Sequence, residues 1–178
     1  MRTMFIAAAA LIAAMASLSS ARPALAAVGT VEEEIAKIAA LAEAARAADV
    51  SKEVKSLFEA DLAFAEDART RHVSDAFADR FIPDGKTFPL GRPVVVGPES
   101  VREAMKGSKA EWYWAPVEGK ADDTLGVTWG RAFLVVRGTN GEEDSTYRGR
   151  YVTVWTRESK KDDWKIWLDL GTEASPEE

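Results

Sequence analysis

The amino-acid sequence predicts an α+β fold: helices gathered against one side of a curved antiparallel sheet. Three observations carry this reading. The last third holds three strand-like runs, Leu125 to Val136, Thr146 to Thr156 and Trp164 to Leu170, separated by Gly138-Thr139-Asn140-Gly141 and by the charged stretch Glu158 to Asp163. Long strands joined by short polar loops make an antiparallel meander. The first half shows apolar residues at helical spacing instead. Finally, aromatics and glycines interrupt the apolar alternation of the strands: Trp129 and Gly130, then Gly149, Tyr151 and Trp155, then Trp164 and Trp167. A sheet of this composition can bend around a cavity and line it with rings.

Taken in order, the chain starts with Met1-Arg2, an alanine-rich apolar segment from Met4 to Leu18, and the small-x-small triplet Ala24-Leu25-Ala26. Together these make a secretory signal peptide over residues 1–26. The apolar run is shorter than the roughly 20 residues a bilayer-spanning helix needs, so no stable membrane insertion is expected once it is cleaved. Residues 27–50 read as a helical extension. Ile35, Ile38, Ala39 and Leu41 to Ala45 recur at helical spacing, and Glu32, Glu33 and Glu34 stand where a first turn favours acids. This helix is expected to be loosely attached.

Ser51 is an N-cap candidate for a second, longer helix running to about Asp79, which Pro83-Asp84-Gly85 then ends in a turn. Thr87 to Leu90 and Pro93 to Val96 read as short strands around Gly91. Gly97-Pro98-Glu99-Ser100 opens a third helix to about Lys106, with proline at its first position. A strand from Glu111 to Glu118 precedes the meander. The folded domain is read as 51–173, with a polar tail over 174–178.

Composition removes several function classes. The 178 residues hold 29 acidic and 23 basic side chains, and cleavage after Ala26 removes Arg2 and Arg22, leaving a net charge of about -8. Phosphate backbones need clustered Lys and Arg, so nucleic acid is excluded as a partner. There is no cysteine and one histidine, which rules out disulfides, thiolate catalysis and the usual zinc sets. No metal and no cofactor is expected. The export signal implies a periplasmic or secreted location. The acidic segment Gly141-Glu142-Glu143-Asp144 lacks the alternating ligand spacing of a calcium loop and reads as a solvated hairpin turn.

The order of elements, Gly97-Pro98-Glu99, Leu125-Gly126-Val127-Thr128-Trp129-Gly130, Gly149-Arg150-Tyr151-Val152-Thr153-Val154-Trp155 and the closing Trp164-Lys165-Ile166-Trp167-Leu168-Asp169 resemble the SnoaL-like branch of the nuclear transport factor 2-like superfamily. The resemblance covers about Ser51 to Thr172. It implies a cone of curved sheet wrapped around a long helix, with a cavity between them, in a homodimer. It implies no single activity, because the superfamily holds ketosteroid isomerases, cyclases, dehydratases and members that only bind.

On a second helix continuous to Asp79, Asp61, His72 and Asp79 each fall within about 20° of Val54, in the middle of the apolar face formed by Leu57, Phe58, Leu62, Phe64 and Ala65. A buried carboxylate is costly unless it is paired or faces a cavity. Two readings stay open. Asp61 or His72 is a general base with a pKa moved by burial, with Asp75 placed to orient the His72 ring. Otherwise Asp61 pairs with Arg148 or Arg150, His72 is a satisfied core histidine, and Asp75 and Asp79 sit in water. Period-two counting puts Tyr147, Gly149, Tyr151, Thr153 and Trp155 on one face of their strand, and Lys165, Trp167 and Asp169 opposite Ile166 and Leu168 on the last. Asp169 is either a third candidate catalytic group or an exposed edge acid paired with Lys165 or Arg157.

Phe58, Trp112, Trp114, Trp129, Tyr151, Trp155 and Trp167 are the candidate ligand-lining residues. Two functions follow. One is an extracytoplasmic protein that holds an apolar or aromatic small molecule in the cone; the other is a cofactor-independent isomerase, cyclase or dehydratase in which an Asp or His moves a proton beside a carbonyl.

Overall fold

The computed structural model of the protein describes residues 29–174 other than Leu90 and Gly141. The segment read as a signal peptide and the final tail beyond Ala174 lie outside the described residues, as do the end of the Thr87 to Leu90 strand and one residue of the glycine-flanked hairpin. Six strands form one open sheet, with the first helices and a short fourth one packed around it.

Helix α1 (Val31–Ala47) starts at a capping box. The Thr30 hydroxyl accepts from the Glu33 amide, and the Glu33 carboxylate accepts from the Thr30 amide. This helix is firmly held, against expectation: Ile38 and Ala45 are buried with Phe133 and Val135 of the sheet, and Glu34 pairs with Arg148 at 3.1 Å. Helix α2 (Lys52–Thr70) opens at Ser51, whose hydroxyl accepts from the Val54 amide.

The second helix does not reach Asp79. It ends at Arg71, and α3 (Val73–Arg80) begins afresh because His72 adopts an extended backbone and its Nδ1 accepts from the Ser74 amide. A ring nitrogen thus serves as N-cap in place of the usual hydroxyl or carboxylate. This break cancels the shared face of Asp61, His72 and Asp79.

Strand β1 (Phe81–Thr87) runs straight through Pro83-Asp84-Gly85, where a turn is expected from the sequence. It pairs in parallel with the last strand, Phe81 opposite Ile166 and Lys86 opposite Leu168. The residues between bulge away from the ladder, so Pro83 has no ladder bond to donate. Strand β2 (Val95–Val96) adds an antiparallel edge, and α4 (Pro98–Met105) follows Gly97, which holds φ 82°. The meander is β3 (Glu111–Ala121), β4 (Leu125–Val136), β5 (Ser145–Thr156) and β6 (Lys165–Glu173), in the sheet order β2-β1-β6-β5-β4-β3.

Cross-strand partners share a face, so the register sorts the side chains. Trp114, Thr128, Gly130, Tyr151, Thr153 and Trp155 point inward beneath α2; Trp129, Val152 and Leu170 point outward. Where period-two counting groups Trp167 with Asp169, a bulge separates them. Val154 pairs with Leu168 but Trp155 with Ile166, so Trp167 is the extra residue and both Ile166 and Asp169 turn inward.

The expected roof over the sheet is present, but the space beneath it is filled with rings. Phe64 of α2 meets Phe77, Trp114 and Trp155 edge to face at 4.6, 4.8 and 6.2 Å between ring centres, and Phe77 meets Trp112 at 5.4 Å. Glycine makes this packing possible: a Cβ on Gly130 would stand 2.1 Å from the Ala115 carbonyl and 2.7 Å from the Tyr151 ring. Two open grooves among the described residues lie outside this core, one at the turn Glu158 to Lys161 and one beside His72.

Candidate functional site

At the centre of the inward face is Asp61, wholly buried in mid-α2. Its Oδ1 accepts from Trp114 Nε1 at 2.9 Å, and its Oδ2 accepts from the Tyr151 hydroxyl at 2.9 Å. The Thr128 hydroxyl is a third partner, itself accepting from Trp155 Nε1 at 2.9 Å. Every group that bonds to the carboxyl is neutral. Burial therefore dominates and pushes Asp61 up to about 6, against the opposing pull of the three donors. The Tyr151 hydroxyl is pushed well above its ordinary range, first by burial and then by the adjacent carboxylate, so it stays a proton donor.

Asp169 joins this cluster from β6. Its Oδ1 accepts from the Thr153 hydroxyl at 2.7 Å, and burial followed by the field of Asp61 raises it to about 6. The residue as a whole keeps part of its surface in solvent, unlike Asp61. The pair thus places two carboxyls with raised pKa on one polar seam inside an aromatic core.

Of the residues anticipated from the sequence, Asp61, Trp114, Tyr151 and Trp155 meet in this cluster, with Asp169 beside it. The anticipated arginine partner of Asp61 is replaced by the two ring donors and a threonine, and Arg148 pairs with Glu34. His72 is exposed at the α2–α3 junction, and Asp75 pairs with Arg102 at 2.9 Å rather than orienting it. Asp79 pairs with Arg71. Phe58 is buried on the α1 side of α2, Trp112 lies at the outer end of the ring stack, and Trp129 and Trp167 stand half-exposed on the opposite face of the sheet. Thr128 escaped the sequence reading, and Thr153, though grouped with Tyr151 and Trp155, was given no role. Their inward phase with Gly126 and Gly130, or with Tyr151 and Trp155, is the signal that could have found them.

Sheet order, helix placement and the buried seam define a cone-like α+β domain of the nuclear transport factor 2-like, cystatin-like fold. No protein-family model matches the chain, and no curated protein matches it in sequence. Among solved structures it is similar to a nuclear transport factor 2-like protein with a cystatin-like fold from Novosphingobium aromaticivorans, at 8% identity and TM-score 0.58 over 84% of this chain and 93% of that one. It is also similar to a ketosteroid isomerase-like protein from Erwinia carotovora atroseptica, at 14% identity and TM-score 0.58 over 71% and 100%. A protein provisionally named scytalone dehydratase from Novosphingobium aromaticivorans matches at 11% identity and TM-score 0.57 over 68% and 83%. At these identities the likeness establishes the fold, as the resemblance implied.

Proposed function

We propose that the protein is a cofactor-independent acid–base enzyme of the isomerase, cyclase or dehydratase kind, with Asp61 as the proton-transferring group. The observation that carries this reading is a fully buried carboxyl with no charged hydrogen-bond partner, set 2.9 Å from a tyrosine hydroxyl and titrating at about 6. A general base works best when its pKa lies near the operating pH. Asp61 takes the proton from a carbon beside a substrate carbonyl, and the electron pair left behind moves onto the carbonyl oxygen. Tyr151, kept protonated, turns its hydroxyl from Asp61, where it donates at 2.9 Å in this structure, to that oxygen. In a dehydration the protonated Asp61 returns its proton to the departing hydroxyl, which leaves as water.

The two neighbours named for isomerase and dehydratase chemistry support this reading over storage of an apolar guest. We also propose a homodimer outside the cytosol. Its supporting feature is the outward sheet face, where Trp129, Val152 and Leu170 form one cross-strand row and Val127, Val154 and Leu168 the next. The test of the enzymatic reading is solvent deuterium exchange into a panel of small ketones and β-hydroxy carbonyl compounds, followed by NMR. Exchange by the wild-type protein that is lost in Asp61→Asn supports the reading; exchange by neither, or equally by both, refutes it.

A further inference from the structure

The inward face of the sheet carries a polar row across its apolar core. Thr128 of β4 pairs with Thr153 of β5, Thr153 with Asp169 of β6, and Asp169 with Thr87 of β1. Cross-strand partners stand on one face, so the row joins the two carboxyls of the candidate site. At its inner end the Thr128 hydroxyl meets Asp61, which is wholly shut off from solvent. Two strand spacings away, roughly 10 Å, the Thr153 hydroxyl donates to Asp169 Oδ1 at 2.7 Å. Asp169 keeps part of its surface in solvent. Its Oδ2 accepts no hydrogen bond among the described residues, yet it is not sealed from water. Water therefore reaches one end of the row and not the other.

The two ends also differ in what they offer a negative charge. Asp61 has three neutral donors, from Trp114, Tyr151 and Thr128, whereas Asp169 has one. No basic side chain among the described residues acts on either carboxyl, so nothing nearby cancels a second charge, and the field of Asp61 opposes ionisation of Asp169. The titratable groups that face the pair are each other and the Tyr151 hydroxyl, which stays protonated. The register turns Lys86, Arg131, Arg148, Arg150 and Lys165 to the outward face, and the acid that α1 brings, Glu34, lies on Arg148. On the other helices Arg80 is taken by Asp67, Arg71 by Asp79 and Arg102 by Asp75. On β3, Glu111 is held by Arg137, and Glu118 accepts from the outward Trp129 indole.

We propose that Asp61 and Asp169 are one proton-sharing pair: the first charge settles on Asp61, where three donors meet it, and the remaining proton on Asp169, where water delivers and removes it. Loss of that second proton makes Asp61 hold its own more tightly, because coupling between two sites is reciprocal. Asp169 is thus a positioning residue for the proposed reaction; this role, though not the pairing itself, rests on the catalytic reading of Asp61. Carbon NMR of the aspartate carboxyl carbons follows both residues through a pH titration of the full chain, each assigned by its loss in Asp61→Asn or Asp169→Asn. In Asp61→Asn the midpoint of Asp169 is expected to fall by about one pH unit, the effect of removing a charge roughly 10 Å away at an effective dielectric constant of about 20. In Asp169→Asn, a same-shape change at the end that water reaches, Asp61 is expected to lose the upper part of its titration and to ionise in a single step. An Asp169 midpoint unmoved in Asp61→Asn, or an Asp61 curve unchanged in Asp169→Asn, would overturn the proposal. The deuterium-exchange assay separates the two claims: coupled titrations without exchange activity refute the catalytic reading and leave the pair standing, and exchange activity with independent titrations does the reverse.

Discussion

Replacing Asp61 by asparagine should change how stability depends on pH, and the change can be worked out from its surroundings. Asparagine has the same shape: its Oδ1 can keep the Trp114 N–H, and its Nδ2 can donate to the Tyr151 oxygen, since a hydroxyl accepts as well as donates. What disappears is the proton equilibrium. Asp61 titrates at about 6 in the fold against 3.8 in the free side chain. The folded state thus binds the extra proton more tightly than the unfolded chain. The stability this contributes is fully present below pH 3.8 and is lost as pH rises through about 6. The difference amounts to about 2.4 kcal/mol between pH 4 and pH 8. Glu34, Asp79 and Glu111 shift the other way, so they stabilise above their ordinary pKa values and fail in acid. Those contributions are common to both proteins and cancel in the comparison. Urea unfolding of both proteins at a series of pH values should therefore show Asp61→Asn gaining about 2.4 kcal/mol on the wild type as pH climbs from 4 to 8. A constant difference across that range would refute the idea that burial governs this carboxyl.

Other sites give independent checks. Gly130→Ala places a methyl against the Ala115 carbonyl and the Tyr151 ring, so calorimetry should show a loss of about 2–4 kcal/mol, or no folded protein. His72→Ala removes only the cap of α3; it should cost about 1 kcal/mol in urea unfolding and leave any deuterium-exchange activity intact. Trp155→Phe empties part of the ring stack and frees the Thr128 hydroxyl, with an expected loss of about 1–3 kcal/mol by the same measurement. Paired Trp129→Glu and Val152→Glu substitutions on the outward face should turn a dimer into a folded monomer in analytical ultracentrifugation; a wild type that sediments as a monomer refutes the homodimer.

The meander was legible because its strands are long and alternate cleanly: β4 spans the same residues in the structure as in the sequence reading, and β5 differs by one. Helix α1 was equally clear from its acids and apolar spacing. The errors share one cause, irregular backbone that periodicity does not announce. Histidine is an uncommon cap, so the break at His72 passed for continuous helix. Pro83-Asp84-Gly85 carries turn residues, but a bulge opposite β6 lets them stay in a strand. The extra residue at Trp167 reverses the phase of β6, sending that indole outward and Asp169 inward. For the site, Asp61 stood out as a carboxylate on an apolar face, but its partners come from three different strands, a long-range arrangement that helical or strand spacing does not encode. The filled interior was likewise beyond reach: six tryptophans are as compatible with a lined cavity as with an interlocked core.

The central claim is that Asp61 is a buried, proton-exchanging group held near neutrality. Carbon NMR of the aspartate carboxyl carbons, with Asp61 assigned by its absence in Asp61→Asn, reads its protonation directly. The expected titration midpoint is about 6; a midpoint near 4, the range of a solvated aspartate, would contradict the account.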